Sequence, residues 1–252
     1  MRFASLGSGS RGNALVVRQH HTVVLVDCGF SLKEVKRRLG ILRLDIEALS
    51  AIVVTHEHTD HISGVGGLAR KYRLPVYATR GTRMVAAWGE IPDVNQVTPD
   101  EPVTIGDLEF LPFPVPHDAR QPCQYVVSDG SRRLGILTDT GSITPHITSQ
   151  LAMCDAMVLE CNHDIPLLQG SDYPQHLKQR IAGRYGHLSN QQAAELIRSV
   201  DVSRLKHLVA AHLSEKNNTV ALARQNLSEA AGCAADWIGV IDQNDGLSWR
   251  DL

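Results

Sequence analysis

Residues 55–64 read THEHTDHISG. Three histidines, a glutamate and an aspartate crowd the stretch from His56 to His61. Charged side chains are rarely buried without partners, so a cluster this dense behind an apolar run needs a chemical role. The same side-chain types recur singly at the ends of other apolar runs. Asp27 closes TVVLVD, His117 follows LPFPVP, Asp139 closes LGILTD, and His212 closes HLVAAH. If these strand ends share one edge, their side chains converge on a point. Neutral imidazole and carboxylate suit zinc, manganese and iron alike. His56 and His58 alternate and can point the same way, while Asp60 and His61 can turn toward a second ion. The set exceeds the coordination of one tetrahedral zinc. Two ions fit better, and a carboxylate such as Asp139 can bridge them.

The elements that must position these groups can be read from the pattern. Runs at 14–17 and 22–26, split by a polar turn, predict a hairpin ending at Asp27. SLKEVKRRLG predicts a short helix with Ser31 as N-cap, Glu34 at the capping-box position and Gly40 after it. A buried strand over 51–54 runs directly into the histidine cluster. ISGVGGLARKYR then predicts a helix whose glycines allow close packing, and a strand follows at 75–78. Residues 101–115 and 123–139 are strand-rich, with Asp129-Gly130 marking a hairpin turn, and 156–160 is another strand. From 173 to 198 the pattern is helical, broken at 184–190, with Ser189 or Asn190 as the next N-cap. A strand at 207–212, a helix at 218–231 and short final strands complete the chain. Helices interleaved with hairpins indicate a mixed-sheet α/β domain.

The chain has 252 residues, enough to bury a sizeable core, and one domain spanning 1–252 is the expectation. Hydrophobic residues make up 43% and charged residues 21%, ordinary for a soluble globular protein. The net charge of −2 gives no global basic signal, so any nucleic acid must be gripped locally. No secretory h-region and no membrane-length apolar run are visible. Cys28, Cys123, Cys154, Cys161 and Cys233 are odd in number and form no CxxC pair. They read as free thiols in a reducing cytoplasm. Cys28 and Cys161 adjoin site residues, but neither shows a base partner, so both read as small buried hydrophobes.

The run from Thr55 to His61 resembles the HxHxDH signature of the metallo-β-lactamase superfamily. Asp27, His117, Asp139 and His212 match the superfamily's other motifs in order, over nearly the whole chain. The resemblance implies an α/β fold, the four-layer αββα sandwich, with its site at the sheet edges. It implies one ion held by His56, His58 and His117, a second held by Asp60, His61 and His212, and Asp139 as the bridge. Asp27 would orient the His motif through hydrogen bonds rather than bind metal. Glu57 stays outside the ligand set. In diiron redox relatives an acid replaces the second histidine, and here that position is His58.

FASLGSGSRGNALVV at the start, PHDA (116–119), LECNHD (159–164) and GRYGHLSN (183–190) resemble the YycJ/WalJ-like branch, whose members resemble metal-dependent exonucleases acting on DNA. DNA as substrate follows from that likeness and not from composition. GHLSN also resembles an element of phosphodiesterase relatives in which a histidine reaches the scissile phosphate, which places His187 there. His163 reads as a group behind the ligands or a substrate contact, and equally as a satisfied loop histidine. GSGSRGN lacks the P-loop lysine pattern and reads as a tight turn near the site. Arg80, Arg83, Arg180 and Arg184 can meet phosphates, although scattered arginines are usually solvated surface.

The resemblance implies two divalent cations, zinc or manganese with iron also allowed, and a bridging hydroxide as nucleophile. A bound cation lowers the pKa of water from about 15.7 to about 7. Asp60 would orient or deprotonate that water while ligating, and His187 would protonate the leaving oxygen. The expectation is a cytoplasmic, dinuclear phosphodiesterase, foremost a DNA exonuclease. One alternative is the same centre acting on a thioester, lactone or other carbonyl. Another is a non-catalytic metal-binding protein or a diiron redox protein. The redox reading needs a flavin partner, and no flavin-binding domain is visible.

Overall fold

A computed structural model describes residues 1–252. In chain order its first strands are β1 (Arg2–Gly7), β2 (Ala14–Gln19), β3 (Thr22–Val26), β4 (Ala51–Val53), β5 (Val76–Thr79) and β6 (Val94–Val97). Then come β7 (Val103–Ile105), β8 (Leu108–Pro114), β9 (Cys123–Ser128), β10 (Arg133–Leu137), β11 (Ala156–Glu160), β12 (His207–Ala211) and β13 (Gly239–Val240). The last, β14 (Leu247–Asp251), returns to pair with β1, so one sheet runs β14-β1-β2-β3-β4-β5-β6 and the other β13-β12-β11-β10-β9-β8-β7. Each sheet is antiparallel in one half and parallel in the other. β3 to β6 are mutually parallel, as are β10 to β13.

Nine helices cover the sheets. They are α1 (Leu32–Ile41), α2 (Thr59–Ile62), α3 (Val65–Tyr72), α4 (Arg80–Val85), α5 (Pro145–Leu151), α6 (Ile165–Gly170), α7 (Gln175–Ile181), α8 (Asn190–Ser199) and α9 (Val220–Ala231). The side-chain period of two explains the layering. Along β3, Val24 and Val26 face the second sheet while Val23 and Leu25 face α1 and α3. Along β11, Ala156 and Val158 face the first sheet while Met157 and Leu159 face α5, α8 and α9. Strands apolar on both faces thus sit between a shared inter-sheet core and two outer helical layers. That is the expected αββα sandwich.

Several local expectations are refined. Ser31 caps α1, accepting from Glu34 N. Glu34 closes no capping box, because its carboxylate is drawn to Arg37 and Arg38, and α1 runs through Gly40. The β9–β10 hairpin has a four-residue loop in place of a two-residue turn, with Asp129 Oδ1 accepting from Ser131 N and Arg132 N. Ser189 is the N-cap of α8, in a capping box with Gln192. Residues 59–62, read as part of the cluster, form the helical turn α2. β1, β6, α4, α5 and α6 are additions to the predicted set.

Candidate metal centre

The parallel and antiparallel pairings set β3 and β4 in one sheet, and β8, β10, β11 and β12 in the other, with their carboxyl ends at one common edge. Asp27, His56, His117, Asp139 and His212 all lie within three residues of those ends. Asp27 and His212 leave their strands in the left-handed region, with φ of 61° and 54°. Such backbone is uncommon outside glycine and persists where surroundings enforce it. At Gly29 a Cβ would sit 1.7 Å from Asp60 O, so only glycine lets the chain after β3 close against α2. That contact fixes Asp60 and His61 relative to Asp27.

Three imidazoles meet first. His56 Nε2 lies 3.1 Å from His58 Nδ1, and His117 Nε2 lies 3.3 Å from the same atom. Their other nitrogens are engaged. His58 Nε2 donates to Asp118 O at 3.2 Å and His117 Nδ1 to Gly186 O at 3.0 Å. Thr55 Oγ1 donates to Asp27 Oδ2, so it accepts from His56 Nδ1 at 3.0 Å. These partners assign the tautomers and leave three lone pairs facing one another. Neutral rings have no reason to do this. A tetrahedral ion with ligand bonds near 2.0–2.1 Å sets its ligand atoms ~3.3 Å apart, which matches.

The second group is richer in carboxylate. His61 Nδ1 donates to Asp27 Oδ2 at 2.8 Å. Its Nε2 therefore turns a lone pair toward Asp60 Oδ2 at 3.4 Å and Asp139 Oδ2 at 3.2 Å. The Asp139 contact is close but lacks hydrogen-bond geometry: Asp139 Oδ2 and His212 Nε2 are buried polar atoms without a hydrogen-bond partner. His212 Nε2 lies 3.6 Å from Asp60 Oδ2. Orphaned buried acceptors cost about 1–3 kcal/mol each, and a cation among them removes that penalty. Asp139 also groups with His56 and His61, so it stands between the two sets.

The charges point the same way. Burial holds His56 well below the usual histidine range. Burial also opposes protonation of His61 and His212, yet Asp139 and the neighbouring carboxylates outweigh it. His61 is raised well above its ordinary value and His212 is pushed up to about 10. Asp27, Asp60, Asp139 and Glu160 place four carboxylates around buried rings, and such a site takes up protons or exchanges them for metal. The donor set fits divalent cations.

His187 stands beside both groups. Its Nδ1 donates to Glu160 Oε1 at 2.7 Å. Its ring centroid is 5.2 Å from those of His117 and His212. Burial lowers its basicity, but Glu160 overrides this and raises it. Glu160 itself is fully buried, with Oε2 accepting from Thr140 N and Leu188 N at 3.0 and 3.2 Å and Oε1 also reaching His212 Nδ1 at 3.2 Å. The sequence reading overlooked this residue. Its signal was present, since AMVLE is another apolar strand ending in an acid.

Other expected residues fall as follows. Asp27 contacts Thr55 and His61 only, behind the rings. Glu57 turns away, accepting from Arg120 N and Thr82 Oγ1. His163 bonds to none of the cluster, and its Nδ1 is buried without a partner. The loop carrying GSGSRGN is a tight turn bolted to the site. Asn13 Nδ2 reaches Asp60 Oδ2 at 3.1 Å, and Ser8 Oγ accepts from His212 N at 2.9 Å. Arg180 Nε pairs with Asp118 Oδ2 at 2.7 Å. Burial pushes the Cys28 and Cys123 thiols up to about 12, so neither is a nucleophile.

Comparison with known proteins decides the family. The Beta-lactamase superfamily domain matches residues 22–212. The chain belongs to the metallo-β-lactamase superfamily. This metallo-β-lactamase relative is a metal-dependent hydrolase and falls in the YycJ/WalJ branch. It is 39% identical over 233 residues to exodeoxyribonuclease YycJ of Bacillus anthracis, covering 91% of this chain and 88% of that protein. It is 34% identical over 245 residues to exodeoxyribonuclease WalJ of Streptococcus pneumoniae, covering 95% and 91%. The metallo-β-lactamase fold protein YhfI from Bacillus subtilis superposes with a TM-score of 0.75 at 16% identity, covering 99% of each chain. That last likeness carries the fold alone.

Proposed function

We propose that this hydrolase is a dinuclear phosphodiesterase, and specifically a DNA exonuclease formed by one domain spanning residues 1–252. The observation that carries the reading is the His187–Glu160 pair set beside two convergent ligand groups. The exodeoxyribonuclease names of YycJ and WalJ support DNA as substrate. His56, His58 and His117 would hold one cation, Asp60, His61 and His212 the other, with Asp139 shared. When bound, zinc or manganese ions supply Lewis acidity toward the phosphoryl oxygens and lower the pKa of a coordinated water.

The chain's own groups do the rest. Asp27 and Thr55 lock the tautomers of His61 and His56, which keeps their lone pairs aimed inward. Asp60, with Oδ2 held by Asn13 Nδ2, is an ionised carboxylate positioned to orient the attacking water. His187, held by Glu160 through Nδ1, presents Nε2 to the substrate and delivers a proton to the leaving oxygen. General acid help of this kind is worth roughly 10²–10⁴ in rate. Five free cysteines fit a reducing cytoplasm. No helix is long and apolar enough to cross a membrane. The carbonyl and redox alternatives are not favoured: the second motif position is His58, and the full-length relatives carry nuclease names.

The test uses pure protein with Mn²⁺ or Zn²⁺ and three substrates: bis-p-nitrophenyl phosphate, an end-labelled DNA strand and a thioester. Cleavage of the phosphodiesters with progressive loss of terminal nucleotides is expected, with two ions per chain by metal analysis. Cleavage of the thioester alone overturns the proposal.

A further inference from the structure

Beyond the ligand groups lies a cavity of about 630 Å³, open to solvent and bounded by α6, α7 and α8. His163 and Ser189 line its buried end, each only 1% exposed. A backbone bridge joins these two residues. It thereby joins the segments that carry the proton-transfer pair, since Glu160 precedes His163 by three positions and His187 precedes Ser189 by two. Extended chain advances about 3.3 Å per residue, so the cavity begins within ~7 Å of His187 along the backbone. It starts two residues along the chain from His187 and contains none of the proposed ligands.

Its lining has a distinct chemistry. Gln175 and Gln179 from α7 and Gln191 from α8 bring exposed amides, each both donor and acceptor. Ile165 and Leu168 supply an apolar wall. His163 Nδ1 is buried with no partner, and burial pushes this imidazole down to about 4, which keeps it neutral. Lys178 Nζ donates to Gln169 O and Ser171 O at 2.7 Å each and keeps its charge, but Glu195 offsets it in sign, so the lining carries no net charge. Glu195, the one acid in the lining, is exposed. This surface suits neither phosphate nor carboxylate. It suits a flat neutral heterocycle with donors and acceptors on its edges and apolar faces. Glutamine amides pair well with base edges.

We infer that this cavity is a nucleobase subsite, taking the base of a terminal nucleotide while its phosphodiester lies at the metal centre. The inference rests on the phosphodiesterase reading above. The test compares metal-loaded protein on two labelled DNA strands of equal length, one normal and one with abasic residues at both ends. Bis-p-nitrophenyl phosphate, which carries no base, is the reference substrate. Two or so lost hydrogen bonds predict a roughly tenfold rise in KM for the abasic strand. The double variant Gln179→Ala/Gln191→Ala, and separately Ala182→Trp, which fills the cavity, should bring that ratio toward one. Melting curves and metal content report folding, and Ala182→Trp stands alone if the double variant is unstable. Equal KM for both strands with the unaltered protein, or folded variants that keep its full discrimination, overturns the subsite alone. Unaltered protein that cleaves no DNA overturns the phosphodiesterase reading and the subsite together.

Discussion

Asp27 is the residue whose replacement separates positioning from ligation most cleanly. Its carboxylate, 4% exposed, accepts from Thr55 N, Thr55 Oγ1 and His61 Nδ1, each at 2.8 Å. Asp27→Ala strands the buried Thr55 N–H and His61 N–H, at about 1–3 kcal/mol each. It also puts a Cβ-only side chain at φ 61°, which adds about 1 kcal/mol. A loss of roughly 3–7 kcal/mol would leave little folded protein in a domain of ordinary stability. Asp27→Asn is the sharper test. Asparagine tolerates the left-handed backbone, and its carbonyl can still accept from Thr55 N. Its amide nitrogen then faces His61 Nδ1 and cannot accept from it, so the ring flips to the other tautomer. His61 Nε2 becomes N–H and loses the lone pair aimed at Asp60 and Asp139. Loss of a ligand-orienting carboxylate costs roughly 10–100-fold in metal affinity. Competition titration with a chromogenic zinc chelator measures that loss, with a melting curve on the same sample. A folded Asp27→Asn protein that binds both ions with unaltered affinity refutes the positioning role.

Three further outcomes are expected. His187→Ala should retain its metal while phosphodiester turnover falls roughly 10²–10⁴-fold; unchanged turnover with full metal content removes the acid role. Glu160→Gln keeps an oxygen for Thr140 N and Leu188 N but loses the charge that raises His187. Its turnover should drop with little change in KM, and a pure KM effect would contradict the assignment. Asp155, 1% exposed by side chain, accepts from Arg133 N, Arg132 and Arg204. Burial alone would raise its pKa, but those donors overcome it and hold the carboxyl below its ordinary value. A depressed native pKa means the stabilisation is complete above the unfolded value near 3.9 and is lost as pH falls through the native one. The stability gap between the parent and Asp155→Asn, about 1–2 kcal/mol at neutral pH after screening, should narrow in melting curves as the pH falls below that unfolded value. A gap that widens on acidification reverses the assigned sign.

Much of the site was legible because its residues obey one rule, an acid or imidazole closing an apolar strand. Glu160 obeys the same rule, but its part in the site comes from packing, which sets it behind His187 and His212 rather than among the ligand groups. The separation of duties between Asp27 and Asp139 was not legible from residue type. It depends on which strand end lies behind the rings and which between the ligand groups. β6, VNQV, was hidden because an edge strand paired on one side needs little apolar sequence. β1, RFASLG, is buried but carries serine and glycine where the chain turns toward Asn13. The failed capping box at Glu34 shows a local motif losing to two neighbouring guanidinium groups, which offer stronger charge-assisted bonds. His163 could not be placed from spacing, because which way a loop ring faces is decided by the packing of α6 to α8.

Each proposed ligand group draws on both sheets. His56, His58, Asp60 and His61 come from the first, and His117, Asp139 and His212 from the second. Neither sheet alone can close a coordination sphere, so a nascent chain emerging as far as β6 offers only fragments of one. Metal capture must wait for the two sheets to dock. Chelation of the mature protein should conversely loosen the two sheets at that edge first, and backbone amides of 56–61 and 139–141 should exchange before those of the inter-sheet core.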